Sequence, residues 1–146
     1  MTQTVTTFYR FVDLPDCEEF RTRLEAECQT HAVLGTIILA AEGLNATIAG
    51  SKADVSAVLA FIRSDARFAD MPHRECKTER ETFHRLRLII RPEIVTLGDP
   101  SVNPNEAVGE YVSPEDWNEL ISDPGVLLID TRNDYEVELG TFKNAA

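Results

Sequence analysis

The chain has 146 residues, 43% hydrophobic and 27% charged, with a net charge of −11. That balance fits a folded globular chain and excludes a disordered one. No apolar run approaches the roughly 20 residues of a membrane helix. The N-terminus, MTQTVTTFYRFVDL, lacks the basic segment and apolar core of a secretory signal, so a cytoplasmic protein is expected.

In chain order, Thr4 to Phe11 alternates as a strand with apolar groups on both faces. Asp13 or Asp16 can cap the helix that follows, in which Phe20, Leu24 and Cys28 recur four apart. Val33 to Ala41 is a strand of buried type, Glu42 to Asn45 a turn or bulge, and Ala46 to Ala49 a second strand. Ser51, with Asp54 three residues on, opens a helix whose apolar face is Val55, Val58, Leu59 and Ile62.

His73 to Arg80 and Phe83 to Ile90 read as two extended segments, with Glu93 to Leu97 as a continuation of the second. The order strand, helix, strand, strand, helix, strand predicts an α+β, ferredoxin-like βαββαβ sandwich over residues 1–98. Phe83–Ile90 is expected to be its last strand and His73–Arg80 an added edge strand. Residues 99–112 carry Pro, Gly and Asn without periodicity and read as a linker. In residues 113–146 a capped helix around Trp117 precedes the apolar run Val126–Ile129. A buried strand needs neighbours on both sides, so this stretch is expected to be the first piece of a second, truncated α/β domain.

The acidity is uneven. Residues 1–98 hold 12 Lys and Arg against 14 Asp and Glu, and residues 99–146 hold 2 against 11. The acidic total argues against nonspecific binding to nucleic acid, and no DNA partner is expected, but the local distribution differs. Arg74, Lys77, Arg80, Arg85, Arg87 and Arg91 are bunched late in the first domain. Arg85, Arg87 and Arg91 share one face of their strand. In a two-layer fold that face can meet water and suits phosphates, with Phe83 on the same side to stack on a base. The alternative is a solvated face partly neutralised by Glu75, Glu79 and Glu81.

Cys17, Cys28 and Cys76 form no CxxC pair, and His31, His73 and His84 have no ligand spacing, so neither a disulfide framework nor a metal site is expected. His73 and His84 could meet only if their segments paired as neighbouring strands. Glu42 to Asn45 allows two readings. One is a functional junction of acid, flexible backbone and amide. The other is a tight turn in which Gly43 takes positive φ and Asn45 bonds to backbone. Asp130 and Arg132, just after the apolar run, either line a site or pin a loop.

Three segments together, AAEGLNATIAG at 40–50, RPEIVTLG at 91–98 and LLIDTRNDYEVELGTFKNA at 127–145, resemble the bacterial tRNA uridine hydroxylase family, and GEYVSPEDWNELISDP at 109–124 fits its pattern. These are rhodanese-domain proteins that convert a wobble uridine to 5-hydroxyuridine with molecular oxygen. The resemblance implies an acylphosphatase-like N-terminal domain, then a rhodanese domain. It implies the tRNA anticodon arm as partner and oxygen as co-substrate, and no flavin, haem or metal motif is evident. The family's cysteine sits in a CTGGIRCEK-type loop that nothing here matches, so the nucleophile is expected beyond residue 146 and this chain alone is expected to be inactive. Asp130 and Arg132 match the DTRN motif and would support the active-site loop. Asn45 stands at the family's EGIN position, with Ala46 in place of Gly, and Glu42 and Asn45 would lie near the domain junction. Rival readings are a sulfurtransferase, a non-catalytic RNA- or protein-binding module, and an acylphosphatase. The last is weakened because Arg10 is followed by Phe11-Val12 instead of a glycine-rich loop.

Overall fold

A computed structural model describes residues 2–99, 101–106 and 109–146, which divide into two units, Met1–Val108 and Gly109–Ala146. In the first, the order is β1 (Gln3–Phe11), α1 (Cys17–Thr30), β2 (Leu34–Ala40), β3 (Gly43–Gly50), α2 (Lys52–Ser64), β4 (Arg74–Thr78) and β5 (Leu86–Ile90). The strands make one sheet in the order β4-β1-β3-β2-β5, antiparallel except for the parallel β2–β5 pair. This is the ferredoxin-like arrangement with a fifth strand.

Both helices pack on one face of the sheet. Phe20, Leu24 and Cys28 of α1 and Val55, Val58, Leu59 and Ile62 of α2 close over Phe8, Ile37, Leu39, Leu44, Ile48 and Leu88. The period of two in the strands and of 3.6 in the helices puts these side chains inward together. Burying a side chain of this size is worth about 1.5–3 kcal/mol, so the layer between helices and sheet is the main stabilising feature. Thr6 also points inward, and its hydroxyl donates to the carbonyl of Arg74 at 2.9 Å, which satisfies a buried polar group.

Ser51 caps α2 as expected, accepting the Asp54 N–H at 3.1 Å. Asp16 occupies the N-cap position of α1, but its side chain caps nothing. It is drawn instead to Arg67, whose Nη2 lies 3.0 Å from Asp16 and 2.7 Å from Asp65. One guanidinium thereby ties the start of α1 to the end of α2.

Two strand assignments change. The last strand of the βαββαβ core is Arg74–Thr78, antiparallel to β1, and Leu86–Ile90 is the added strand, on the opposite edge beside β2. A right-handed crossover from β3 through α2 delivers the chain to the far side of β1, so the first extended segment after the helix takes that edge. β4 has exposed side chains almost throughout, and backbone bonding to β1 defines it. His73 and His84 therefore flank strands on opposite edges and do not pair. Residues 93–97 form no strand, because Pro92 cannot donate to a ladder and the chain turns away there.

In the second unit, α3 (Trp117–Leu120) and α4 (Asp134–Val137) are single turns, and Trp117 packs on Phe142 with ring centroids 5.2 Å apart. The run 126–129 forms no strand. The backbone of Ala146 donates to Leu128 and accepts from Asp130, and Val126 donates to Asp123. Without strands on either side an apolar segment has no ladder to join. No helix among the described residues is long and apolar enough to cross a membrane.

Candidate nucleic-acid interface

The face of the sheet opposite the helices is set by register. Thr36 is level with Arg87, Ile38 with Ile89, Tyr9 with Asn45, Thr7 with Thr47, and Val5 with Cys76. These residues alternate with the core positions, so they all project from the side opposite the helices. Among the described strand residues of this face there is no Asp or Glu.

Arg85, Arg87 and Arg91 lie along the β5 edge, all exposed. Arg87 is on the face opposite the helices. Arg85 precedes the strand, its carbonyl accepting from Gly35, and Arg91 follows it, its N–H donating to Leu39. Thr36, Thr82, Phe83, His84, Arg85 and Arg87 line a broad, open depression of about 550 Å³, with Phe83 half-buried in its wall. The structure thus brings Phe83, Arg85 and Arg87 together and adds Thr36 and His84, which the sequence pattern did not single out. Thr36 is 46 or more residues away from the others in sequence, so only the parallel β2–β5 pairing reveals it.

None of these three arginines forms an ion pair among the described residues. Arg10, Arg21, Arg67 and Arg132 do, with Asp70, Glu25, Asp16 and Asp130. Of the carboxylates expected to neutralise the basic set, Glu75 and Glu81 have other partners. Glu75 takes Lys52 at 2.6 Å and His73 at 3.3 Å, and Glu81 faces His84 at 3.5 Å. The Lys52 bond, with a smaller share from His73, holds the Glu75 carboxyl below its ordinary value.

Glu42 and Asn45 sit at the other end of the same face. Gly43 has φ of 142° at the β2–β3 turn, and a Cβ there would lie 2.1 Å from the carbonyl oxygen of Arg10. A Glu42 carboxylate oxygen accepts the Ile94 N–H at 2.6 Å, and the Asn45 amide donates to the Ile94 carbonyl at 3.1 Å. Both side chains bind the backbone of one residue, so this motif makes a turn and a clasp. The clasp holds the segment after β5 against the sheet, and Ile94 is 2% exposed.

In the second unit, Arg132 is bidentate on Asp130 at 2.9 and 2.6 Å and donates to the Gly140 carbonyl at 2.8 Å, while Thr141 donates to Asp130 at 2.7 Å. The Arg132 bond, then that of Thr141, holds the Asp130 carboxyl far below its ordinary range. The pair joins both ends of the 130–141 loop. Among the described residues no group of His, Cys, Asp and Glu could hold a metal ion.

The family model of the UPF0176 acylphosphatase like domain matches residues 3–94. A tRNA uridine(34) hydroxylase of Albidiferax ferrireducens is 50% identical over 99% of this chain and 46% of its own length. Another of Acaryochloris marina is 49% identical over 94% of this chain and 44% of its own length. The chain thus spans about half the length of the curated relatives it matches. Among solved structures, an acylphosphatase from Bacillus subtilis is 12% identical, covering 61% of this chain and 99% of that one with a TM-score of 0.44. By the match over residues 3–94, the chain belongs to the UPF0176 family and carries its acylphosphatase-like domain.

Proposed function

We propose that this chain is the N-terminal part of a tRNA uridine-34 hydroxylase, which oxidises the wobble uridine to 5-hydroxyuridine with molecular oxygen, and that its first domain helps hold the tRNA anticodon arm. The observation that carries the tRNA role is the β5 edge. Arg85, Arg87 and Arg91 stand exposed, without carboxylate partners among the described residues, beside an acid-free sheet face. Arginines in that state are available to phosphates, whose contacts dominate affinity and make it salt-dependent. Phe83 offers a ring in the same depression.

In this reading residues 1–98 are the tRNA-holding domain, 99–112 the linker and 113–146 the start of a rhodanese domain. Glu42 and Asn45 secure the chain where it leaves the first domain. Asp130 and Arg132 brace a loop at the active site. The reactive thiolate comes from outside residues 1–146, because none of Cys17, Cys28 and Cys76 lies in a CTGGIRCEK-type loop; Cys28 is moreover buried, its thiol pushed up to about 12, chiefly by burial. The setting is cytoplasmic, where tRNA is found.

The test is tRNA binding by the chain over a salt series, alone and as Arg85→Ala and Arg87→Ala. Each substitution should weaken binding and lower the slope of log affinity against log salt by about one. An unchanged slope for both would remove the β5 edge from the reading. Supplied to cells lacking the hydroxylase, this chain should leave uridine 34 unmodified, and restored 5-hydroxyuridine would place the chemistry within residues 1–146.

A further inference from the structure

Strand register puts five side chains in one row across the sheet. Arg74 on β4 is level with Thr7 on β1, Thr7 with Thr47 on β3, Thr47 with Thr36 on β2, and Thr36 with Arg87 on β5. All five project from the side opposite the helices, because Thr6 and Phe8, on either side of Thr7, are buried in the core. The row reaches solvent on every strand. Arg74, Thr7 and Arg87 are exposed, the hydroxyls of Thr7 and Thr47 meet at the surface 3.1 Å apart, and Thr36 lines the open depression beside Arg87. The segment clasped at Ile94 lies at the row of Asn45, about 7 Å further along the strands.

Threonines are common on the outer face of a sheet, and a Thr–Thr pair is an ordinary cross-strand contact. The cations at both ends of the row are what point to a ligand. Among the described residues neither Arg74 nor Arg87 has a carboxylate partner, and no Asp or Glu stands on the strands of this face. Glu75, next to Arg74, turns to the helix side and is held by Lys52 at 2.6 Å.

We infer that the row Arg74, Thr7, Thr47, Thr36 and Arg87 is a track for the sugar-phosphate backbone of RNA. This rests on the reading of the β5 edge as a tRNA-binding surface and extends that edge across the sheet to β4. At about 4.8 Å per strand the two arginines stand about 19 Å apart at their backbones, too far to share one phosphate, so each takes its own. A guanidinium holds a phosphate through two parallel N–H···O bonds. The hydroxyls between supply neutral donors. In the Thr7–Thr47 pair one hydroxyl donates to the other, and the second keeps its own O–H for a phosphate oxygen, while Thr36 adds another. Contacts of this kind position a nucleic-acid backbone and do not read its sequence.

The test measures affinity of the chain for an anticodon-arm RNA over a salt series, with Arg74→Ala, Arg87→Ala, the two combined, Thr7→Val/Thr47→Val and Lys77→Ala. Each arginine substitution should lower the slope of log affinity against log salt by about one, and the combined variant by about two. Thr7→Val/Thr47→Val removes both members of a hydrogen-bonded pair, which is near neutral for folding, and should weaken binding roughly fivefold at unchanged slope. Lys77, on the same strand as Arg74, is level with the buried Thr4 and so stands on the helix side. Lys77→Ala should keep the parent's slope. If Arg87→Ala lowers the slope and Arg74→Ala does not, the track is wrong and the β5 edge stands. A loss in Lys77→Ala equal to that in Arg74→Ala, or parental affinity in the threonine variant, also overturns the track. A glutamate-rich peptide that binds as tightly as the RNA, and weakens in the same variants, would give the row to an acidic protein and overturn the RNA assignment. If the parent chain binds no RNA, both readings fall.

Discussion

The side-chain amide of Asn45 donates to the backbone carbonyl of Ile94 at 3.1 Å, across 49 residues of sequence. Glu42 closes the other half of the clasp by accepting the Ile94 N–H at 2.6 Å. The two contacts satisfy both polar groups of a residue whose side chain is buried, at a place where the chain has left its last strand. Removing either partner strands a backbone group, which costs about 1–3 kcal/mol. Glu42→Ala and Asn45→Ala should each lower chain stability by that amount in urea titration. The double substitution should fall short of the sum, because both act on one residue. Full additivity would show that the clasp is not a unit.

Gly43 makes the same turn possible. Its φ of 142° and the approach of the Arg10 carbonyl leave no room for a Cβ. Gly43→Ala should therefore destabilise by more than the roughly 1–3 kcal/mol of a strained backbone position, since steric overlap adds to it. Gly98 also has positive φ, at 79°, but nothing lies within 4 Å of its Cβ position. Gly98→Ala should cost clearly less, and equal losses in thermal midpoint would contradict the role given to the Arg10 contact.

The Asp16–Arg67–Asp65 cluster should appear in the acid limb of stability. The Arg67 hydrogen bond, opposed by desolvation, lowers Asp16 from 3.8 to about 2, and Arg67 likewise lowers Asp65. The folded state then holds fewer protons than the unfolded state between these values, so stability rises with pH through that window. The contribution is present above pH 3.8 and is lost as pH falls toward about 2. In Arg67→Met the melting midpoint should be lower above pH 4 and should fall less steeply below it. Parallel curves for parent and variant would refute the assignment.

Thiol reactivity should divide the cysteines. Cys76 is exposed on β4, whereas Cys28 is buried in α1, with its thiol raised to about 12 by burial and then by Glu27 and Glu25. A neutral, enclosed thiol does not attack disulfide reagents. With a chromogenic disulfide, Cys76→Ser should abolish a fast phase, and Cys28 should react only in denaturant. Rapid labelling of Cys28 in the native chain would show that the α1 face opens locally.

Much of the core was readable from the residues. The spacing of Phe20, Leu24 and Cys28, and of Val55, Val58 and Ile62, marks two helices with one apolar face each, and both bury it. Ser51 before Asp54 marked a helix start that the structure keeps. The edge strands were harder. Leu86, Leu88 and Ile90 alternate well, so that segment looked like the principal fourth strand, while Arg74–Thr78 has scarcely any apolar pattern. Side-chain alternation reports burial, and an edge strand can be held by backbone bonds alone.

The site shows the same division. Arg85, Arg87 and Phe83 are close in sequence, and their common face follows from a period of two. Thr36 joins them only through a parallel pairing between strands distant in sequence, and Asn45 meets Ile94 only because a loop returns to the sheet.

The amino-acid sequence by itself determined the two long helices and the strands of the first domain, the apolar side of each helix, and the membership shown over residues 3–94, but not that 93–97 and 126–129 form no strand. Tertiary structure alone decided which edge each outer strand occupies, that neither helix covers the acid-free face, and which arginines go without carboxylates. Periodicity is a property of neighbours along the chain, whereas edge choice and charge pairing depend on where a crossover delivers residues far apart in sequence.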